Sequence, residues 1–375
     1  MTQRCSRCVC GTGLPGLAIE PDGVCSACKQ DEIKPYDRAE LTRMMEAGFA
    51  KLRAAPYPYH ALVMLSGGKD SAYVAWKLKE TYGLRVLAFM VKHPFVNELS
   101  KANATSIAHK LGVDFLQFEA DPDVWKKALR HGLLEGTRHG AGEMVGCGVC
   151  SALYTDIAMK LAVQMQIPLL TTGKDYALEP NPVMVAPQDT KKAFVVDPAS
   201  APNRRLIREA LGPAYDESIY GMDLRPFRNA NFPAVAYPLT LMPYDYHDAI
   251  NEMNLRGILP KKNARSSDTN CVLLHLLGYM GFHRYGNHPY TRLFSQAMRR
   301  DQPTYLDQFF TNGDRRLDRD EHLAALAEYR QGLDYLADHP DATEADVEKV
   351  IAMMPFVHEL MGDSLGPMVR GMARM

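Results

Sequence analysis

The hexapeptide Ser66-Gly67-Gly68-Lys69-Asp70-Ser71 collects the residue types that hold a polyphosphate. Gly67 and Gly68 let backbone N–H groups turn toward an anion without interference from a Cβ. Lys69 adds a mobile positive charge, and Ser66 and Ser71 add hydroxyl donors. Asp70, an acid in an anion site, makes sense if it holds Mg²⁺ between phosphates. Cysteines form the second chemical set. There are eight: Cys5, Cys8, Cys10, Cys25 and Cys28, then Cys147 and Cys150, then Cys271. Cys5-x₂-Cys8 and Cys25-x₂-Cys28, with sixteen residues between the pairs, have the spacing of a structural Cys₄ zinc site, and Cys10 could substitute for Cys8. Cys147-Gly148-Val149-Cys150 admits a redox pair, half of a zinc site, or two ligands of an iron–sulfur cluster. Cys271 could supply a third ligand, and reads equally as a small buried hydrophobe.

Weaker candidates lie elsewhere. His275, His283 and His288, with Arg284, Tyr285 and Tyr290, could line a pocket. Lys261, Lys262 and Arg265 could meet a phosphate, and Glu179 could orient Mg²⁺ or a substrate amide. Each of these also reads as an ordinary solvated side chain.

The elements that must position these groups alternate. Apolar spacing predicts a helix over 37–54, and Ala61-Leu62-Val63-Met64-Leu65 a fully buried strand leading into the Gly-rich loop. A helix over 71–82, a strand over 85–91, a helix over 97–111 and a strand over 115–118 follow. The Cys147/Cys150 pair is expected just before a helix over 151–166, whose N-terminus would favour the thiolate. That helix leads into the strand Leu169-Leu170-Thr171-Thr172 and Gly173. Such alternation implies parallel βαβ units with ligands at the carboxyl ends of the strands. Residues 186–238 read as a proline-rich surface excursion, and the chain from about residue 295 as a helical tail.

With 46% hydrophobic residues among 375, the chain can bury a full core. A net charge of −1 argues against a whole-protein grip on nucleic acid. No wholly apolar run reaches the roughly 18 residues that would span a bilayer, and the polar, Cys-rich start is unlike a signal peptide. A cytoplasmic protein without membrane partners is expected.

The hexapeptide resembles the PP-loop of the adenine nucleotide α-hydrolase superfamily. That resemblance implies a doubly wound, HUP-like parallel sheet, with ATP and Mg²⁺ bound at Ser66–Ser71 and at Gly173. It also implies that pyrophosphate leaves while AMP passes to a substrate oxygen, and that Met90 to His93 lie near the adenine. From residue 1 to about 182, the order Cys-x-x-Cys, Gly23-Val24-Cys25-Ser26-Ala27-Cys28, PP-loop, Cys147/Cys150 and Asp175-Tyr176-Ala177-Leu178-Glu179 looks like the N-acetyl sugar amidotransferases of surface-polysaccharide synthesis. The Cys-x-x-Cys plus one distant Cys is similar to iron–sulfur-dependent tRNA thiolases, where three ligands leave one iron of a [4Fe–4S] cluster open.

The expected architecture is α/β: a zinc knuckle over 1–34, a PP-loop domain over 35–260 and a mainly helical region over 261–375. The expected function is an ATP pyrophosphatase that adenylates a small-molecule oxygen and replaces it with sulfur. Lys69, Asp70, Cys147, Cys150 and Cys271 would carry the chemistry. The alternatives are an amidotransferase fed ammonia by a partner glutaminase, and a non-catalytic nucleotide-binding scaffold. The expected partners are a small-molecule substrate such as a nucleotide-sugar, a sulfur donor or glutaminase subunit, and a second copy in a homodimer.

Overall fold

A computed structural model describes residues 5–8, 10–31, 37–136, 145–174, 184–196, 202–212, 227, 229–243, 246–259, 271, 277 and 292, with the backbone of 311–312 and 315–316. The chain divides into two compact units. One holds residues 36–125 and 148–270; the other holds 1–35, 126–147 and 271–375.

The first unit is built on a six-stranded sheet of order β3-β2-β1-β4-β6-β5. Its strands are β1 (Ala61–Met64), β2 (Val86–Lys92), β3 (Asp114–Glu119), β4 (Leu169–Thr172), β5 (Met184–Val185) and β6 (Ala234–Ala236). All neighbours pair in parallel except β5, which runs antiparallel on β6 at one edge. Central β1 and β2 are buried along almost their whole length, as strands covered on both faces must be, whereas edge strand β3 is half exposed. Strand order reverses at β1, between β2 on one side and β4 on the other, which opens a crevice at their carboxyl ends.

The helices follow the sequence signals closely. After the short α1 (Ser26–Asp31), α2 (Arg38–Ala54) starts at Asp37, whose carboxylate accepts from the Glu40 N–H at 2.9 Å. Met45 and Phe49 of α2 enter the core. α3 (Lys69–Trp76) continues through one wider π-type turn, Lys77–Thr81. Trp76 and Leu78 are sealed there, each burial stabilising by roughly 2–3 kcal/mol. α4 (Glu98–Leu111) is capped by Asn97 and ends at Gly112, left-handed at φ 58°.

Several sequence expectations change here. α5 (Pro122–Glu135) was not anticipated. α6 (Val145–Gln164) begins six residues before Ser151, so Cys147 and Cys150 lie inside the helix rather than ahead of it. The surface excursion contains α7 (Pro187–Lys191), α8 (Pro202–Leu211) and strand β6, which joins the sheet. α9 (Tyr246–Leu255) then packs Ala249 and Met253 into the core. α6 has the length and mean hydropathy of a membrane span, but 56% of that stretch is buried inside the fold. Its buried Asp156 accepts from Arg204 of α8 at 2.8 Å, and Phe194 lies 4.3 Å beneath the guanidinium.

In the second unit, Cys5, Cys8, Cys10, Leu14, Cys25 and Cys28 form a small core of their own. The helical tail expected from about residue 295 lies outside the described residues, apart from an antiparallel pairing of Thr311–Asn312 with Arg315–Arg316.

Candidate functional site

β1 delivers Ser66 to Ser71 to the crevice, and α3 carries the chain away. Gly67 has φ 82°, and a Cβ there would lie 2.1 Å from the Ser100 carbonyl oxygen on α4. The loop is therefore pressed against α4 in a way only glycine permits. On its other side comes Gly173, just after β4, where a Cβ would lie 2.4 Å from the Ser71 nitrogen. Within the loop, the Ser66 N–H donates to the Ser71 Oγ at 3.1 Å, and the two hydroxyls are 3.0 Å apart. The Gly68 N–H reaches the Ser66 Oγ at 3.3 Å. α3 starts at Gly68 with no side-chain cap, so its first N–H groups and dipole face the crevice. Lys69 Nζ sits 3.0 Å from the Asp70 carboxylate.

The strand, the glycine-rich loop and the helix start have the geometry of a phosphate-binding site. The loop, the helix start and the loop after β4 meet where the strand order reverses. A cradle that would close on any Cβ, lined by N–H groups, one lysine and one acid, fits ATP with Mg²⁺.

The loop after β4 continues into Lys174, whose Nζ donates to the Ser151 Oγ at 2.6 Å and lies 5.8 Å from the Tyr154 ring centre. Both partners are on α6, so a cation beside the PP-loop is tied to the helix that carries Cys150. The sequence offered no sign of this contact.

Cys150 itself has an unexpected setting. Its Sγ lies 3.4 Å from the His93 Nε2 and 3.4 Å from the Trp125 Nε1. His93, expected near the adenine, turns its ring to this sulfur from the end of β2. The two rings stack at 5.2 Å between centres and 4° between planes. His93 Nδ1 accepts from the Phe95 N–H at 3.3 Å, which leaves the proton on Nε2. Burial first, and then the Lys101 charge, push the imidazole down to about 3, so it is neutral. Gly148, between the two cysteines, has a packing reason: a Cβ would lie 2.4 Å from the Asn203 amide on α8. Gly146 likewise gives way to Leu277 and Leu133.

Cys5, Cys8, Cys25 and Cys28 bring four buried sulfurs within 4.8 Å of one another. Cys5 and Cys28 are 3.8 Å apart, Cys8 and Cys25 3.7 Å. Metal–sulfur bonds of roughly 2.3 Å give a tetrahedron edge of about 3.8 Å. The set fits a single tetrahedral ion. Burial pushes the Cys28 and Cys25 thiols up, and the neighbouring sulfur charges add to that rise. Cys5, despite burial, is brought down by N–H groups of Cys25 and Arg7 that donate to its Sγ at 3.2 and 3.4 Å. Such N–H···S bonds hold metal thiolates in place. Cys10 joins this core but not the four-sulfur group.

Cys271 is half-buried and belongs to the unit of residues 271–375, while Cys150 belongs to the sheet unit. Glu179, Lys261, Lys262, Arg265, His275, His283, Arg284, Tyr285, His288 and Tyr290 lie outside the described residues.

No family model matches the chain. It is 26% identical over 132 residues to an uncharacterized protein of Methanocaldococcus jannaschii, an alignment covering 34% of this chain and 47% of that protein. The chain thus spans about half the length of the curated relative it matches. Among solved structures it is similar to the U34-tRNA thiolase NcsA from Methanococcus maripaludis with its [4Fe-4S] cluster, at 13% identity, 82% of this chain, 89% of that one and TM-score 0.34. NMN synthetase from Francisella tularensis is similar at 12% identity, 88% and 98% coverage and TM-score 0.32. At these values neither structure assigns a reaction, and the architecture rests on the sheet order and loop geometry above.

Proposed function

We propose that this protein is an ATP pyrophosphatase that adenylates an oxygen of a small molecule and then exchanges that oxygen for sulfur. The observation that carries the first half is the PP-loop clamped between Ser100 on α4 and Gly173 after β4. The substrate oxygen attacks the α-phosphorus, the bond to the β-phosphate breaks, and pyrophosphate departs. Lys69, the α3 N–H groups and Mg²⁺ held by Asp70 would bear the charge that builds on the leaving oxygens. Hydrosulfide then bonds to the activated carbon, and AMP leaves with the original oxygen. The sulfur setting of Cys150 favours this exchange over delivery of ammonia.

Cys147 and Cys150 are three residues apart on α6, so they share a helix face, a spacing that suits two thiolate ligands. With Cys271 they would hold a [4Fe–4S] cluster if the enzyme carries one, and such a cluster would supply an open iron for a sulfide. Zinc is our assignment for the Cys₄ group, because its sulfur spacing is that of one ion rather than of cluster thiolates, which stand on the order of 6 Å apart. A cytoplasmic location and a separate sulfur donor belong to the same reading.

The test is product analysis. Purified protein is incubated with ATP, Mg²⁺ and a pool of small metabolites, with sulfide or ammonium supplied separately. AMP and pyrophosphate released in a sulfide-dependent way are expected. Ammonium dependence would replace sulfur transfer by amidotransfer, and ADP with orthophosphate would overturn the reading altogether.

A further inference from the structure

Two consecutive residues of α6 reach opposite sides of the crevice. Cys150 meets His93, just after β2, at 3.4 Å, and Ser151 accepts from Lys174, just after β4, at 2.6 Å. β2 and β4 are the two neighbours of β1, so their ends stand about 10 Å apart. Side chains that follow one another on a helix point about 100° apart, which lets one turn of α6 bridge that gap. The bridge crosses the end of β1, where the glycine-rich loop begins. All of these residues belong to the sheet unit.

Lys174 is the cation on the β4 side of this bridge. Its backbone N–H donates to the Thr172 Oγ1 at 2.9 Å, and its neighbour Gly173 is packed against the Ser71 nitrogen. The lysine stem therefore starts one residue away from the backbone that touches the first turn of α3. Ser151 and the Tyr154 ring, one turn further along the same face of α6, direct its Nζ across the crevice mouth. Lys69 is a separate cation, within the loop, 3.0 Å from Asp70. An ammonium carries three donors, so Lys174 can keep its bond to Ser151 and meet a phosphate oxygen as well.

We propose that Lys174 binds the α-phosphate of ATP, and then the same phosphate in the adenylate, while Lys69 serves the pyrophosphate that leaves. This deepens the adenylation reading and rests on it. The β- and γ-phosphates fill the glycine-rich loop, and the α-phosphate, next in line, falls between that loop and α6. Two lysines on different loops divide the work because the two anions part company. When hydrosulfide bonds to the activated carbon, the carbon–oxygen bond breaks and its electron pair goes to the phosphate oxygen. Lys174 bears that charge as AMP departs.

The experiment is equilibrium dialysis of the full chain against labelled AMP and, separately, against labelled pyrophosphate with Mg²⁺. It needs no substrate and no sulfur donor. Lys174→Met should weaken AMP binding about tenfold or more, the loss of one hydrogen bond between charged groups, and leave pyrophosphate binding as it was. Lys69→Met should do the reverse. Lys174→Gln, which keeps a donor for Ser151 but no charge, should behave as Lys174→Met does, and it decides alone should the methionine variant fail to fold. Unchanged AMP affinity in a folded Lys174 variant overturns the proposal. So does an equal fall in both affinities, which is what a merely structural lysine would give. A wild-type chain that binds neither AMP nor pyrophosphate would sink the adenylation reading itself, whereas one that binds both, with Lys174 variants unaltered, sinks this inference only. Sulfide dependence plays no part in these affinities, so sulfur transfer can fail while the role of Lys174 stands.

Discussion

His60 and His93 are both buried histidines whose pKa the fold lowers, and they are held by different partners. His60 accepts from the Arg85 N–H at its Nδ1, 3.0 Å away, and its Nε2 lies 3.2 Å from the Ala55 carbonyl. Burial, and then the Arg85 charge, lower its pKa below the ordinary histidine value, although the Ala55 contact works the other way. The folded state thus binds fewer protons than the unfolded chain as pH falls through about 6.5. This contribution to stability is present above that value and lost as pH falls below it. His60→Asn, which keeps an acceptor for Arg85 but cannot titrate, should flatten the decline of melting temperature between about pH 7 and pH 5; an unchanged slope would remove His60 as its source. In the proposed reaction, Lys69 is a charge that the transition state needs and the fold does not. Lys69→Ala should reduce AMP and pyrophosphate formation by about 10²-fold or more with little change in melting temperature.

At the scale of elements, the decisive fact is how closely three backbones approach. β4 ends against the first turn of α3, with only Gly173 between them. Gly173→Ala would drive a methyl group into the Ser71 nitrogen at 2.4 Å and the Asp70 carbon at 2.7 Å. Because both are backbone atoms, the start of α3 must move, at a cost of about 1–3 kcal/mol. ATP affinity should fall about tenfold or more, read by equilibrium binding. Gly48 makes the natural comparison. It lies inside α2 with open space around it, so Gly48→Ala should raise stability by about 0.5–1 kcal/mol and leave ATP binding untouched. The same lesson applies to α6 and α8, which meet at Gly148 and are joined by the Asp156–Arg204 pair. Removing Arg204 would leave Asp156 without its guanidinium in a sealed position, a loss of about 3–5 kcal/mol in urea unfolding.

For the whole molecule, the question is what lets the first 35 residues fold. Their small core consists largely of cysteine, with Leu14 as its one buried aliphatic side chain among the described residues. Four buried sulfurs within 4.8 Å of one another have the spacing of ligands around one tetrahedral cation, which would displace their protons on binding. About one zinc per chain is therefore expected by elemental analysis. Chelation or Cys25→Ser should open this segment to proteolysis while ATP binding by the sheet unit persists. A metal-free chain whose N-terminal segment resists protease would refute the assignment.

Legible in the sequence were strands β1 to β4, helices α2, α3 and α4, the glycine-rich loop between β1 and α3, and the grouping of Cys5, Cys8, Cys25 and Cys28. These are local quantities: apolar period, capping residues such as Asp37 and Asn97, glycines at turns, and cysteines two residues apart. Tertiary structure decided the rest. That Gly67 and Gly173 are clamps, that Gly148 is a packing contact, that β6 completes the sheet from within a proline-rich stretch, and that His93 and Trp125 face Cys150 all depend on pairs far apart in the chain. No periodicity records such a pair. The energy that selects it comes from surfaces meeting only once the sheet has formed, when burying one ring or one backbone atom against another first acquires a cost or a gain.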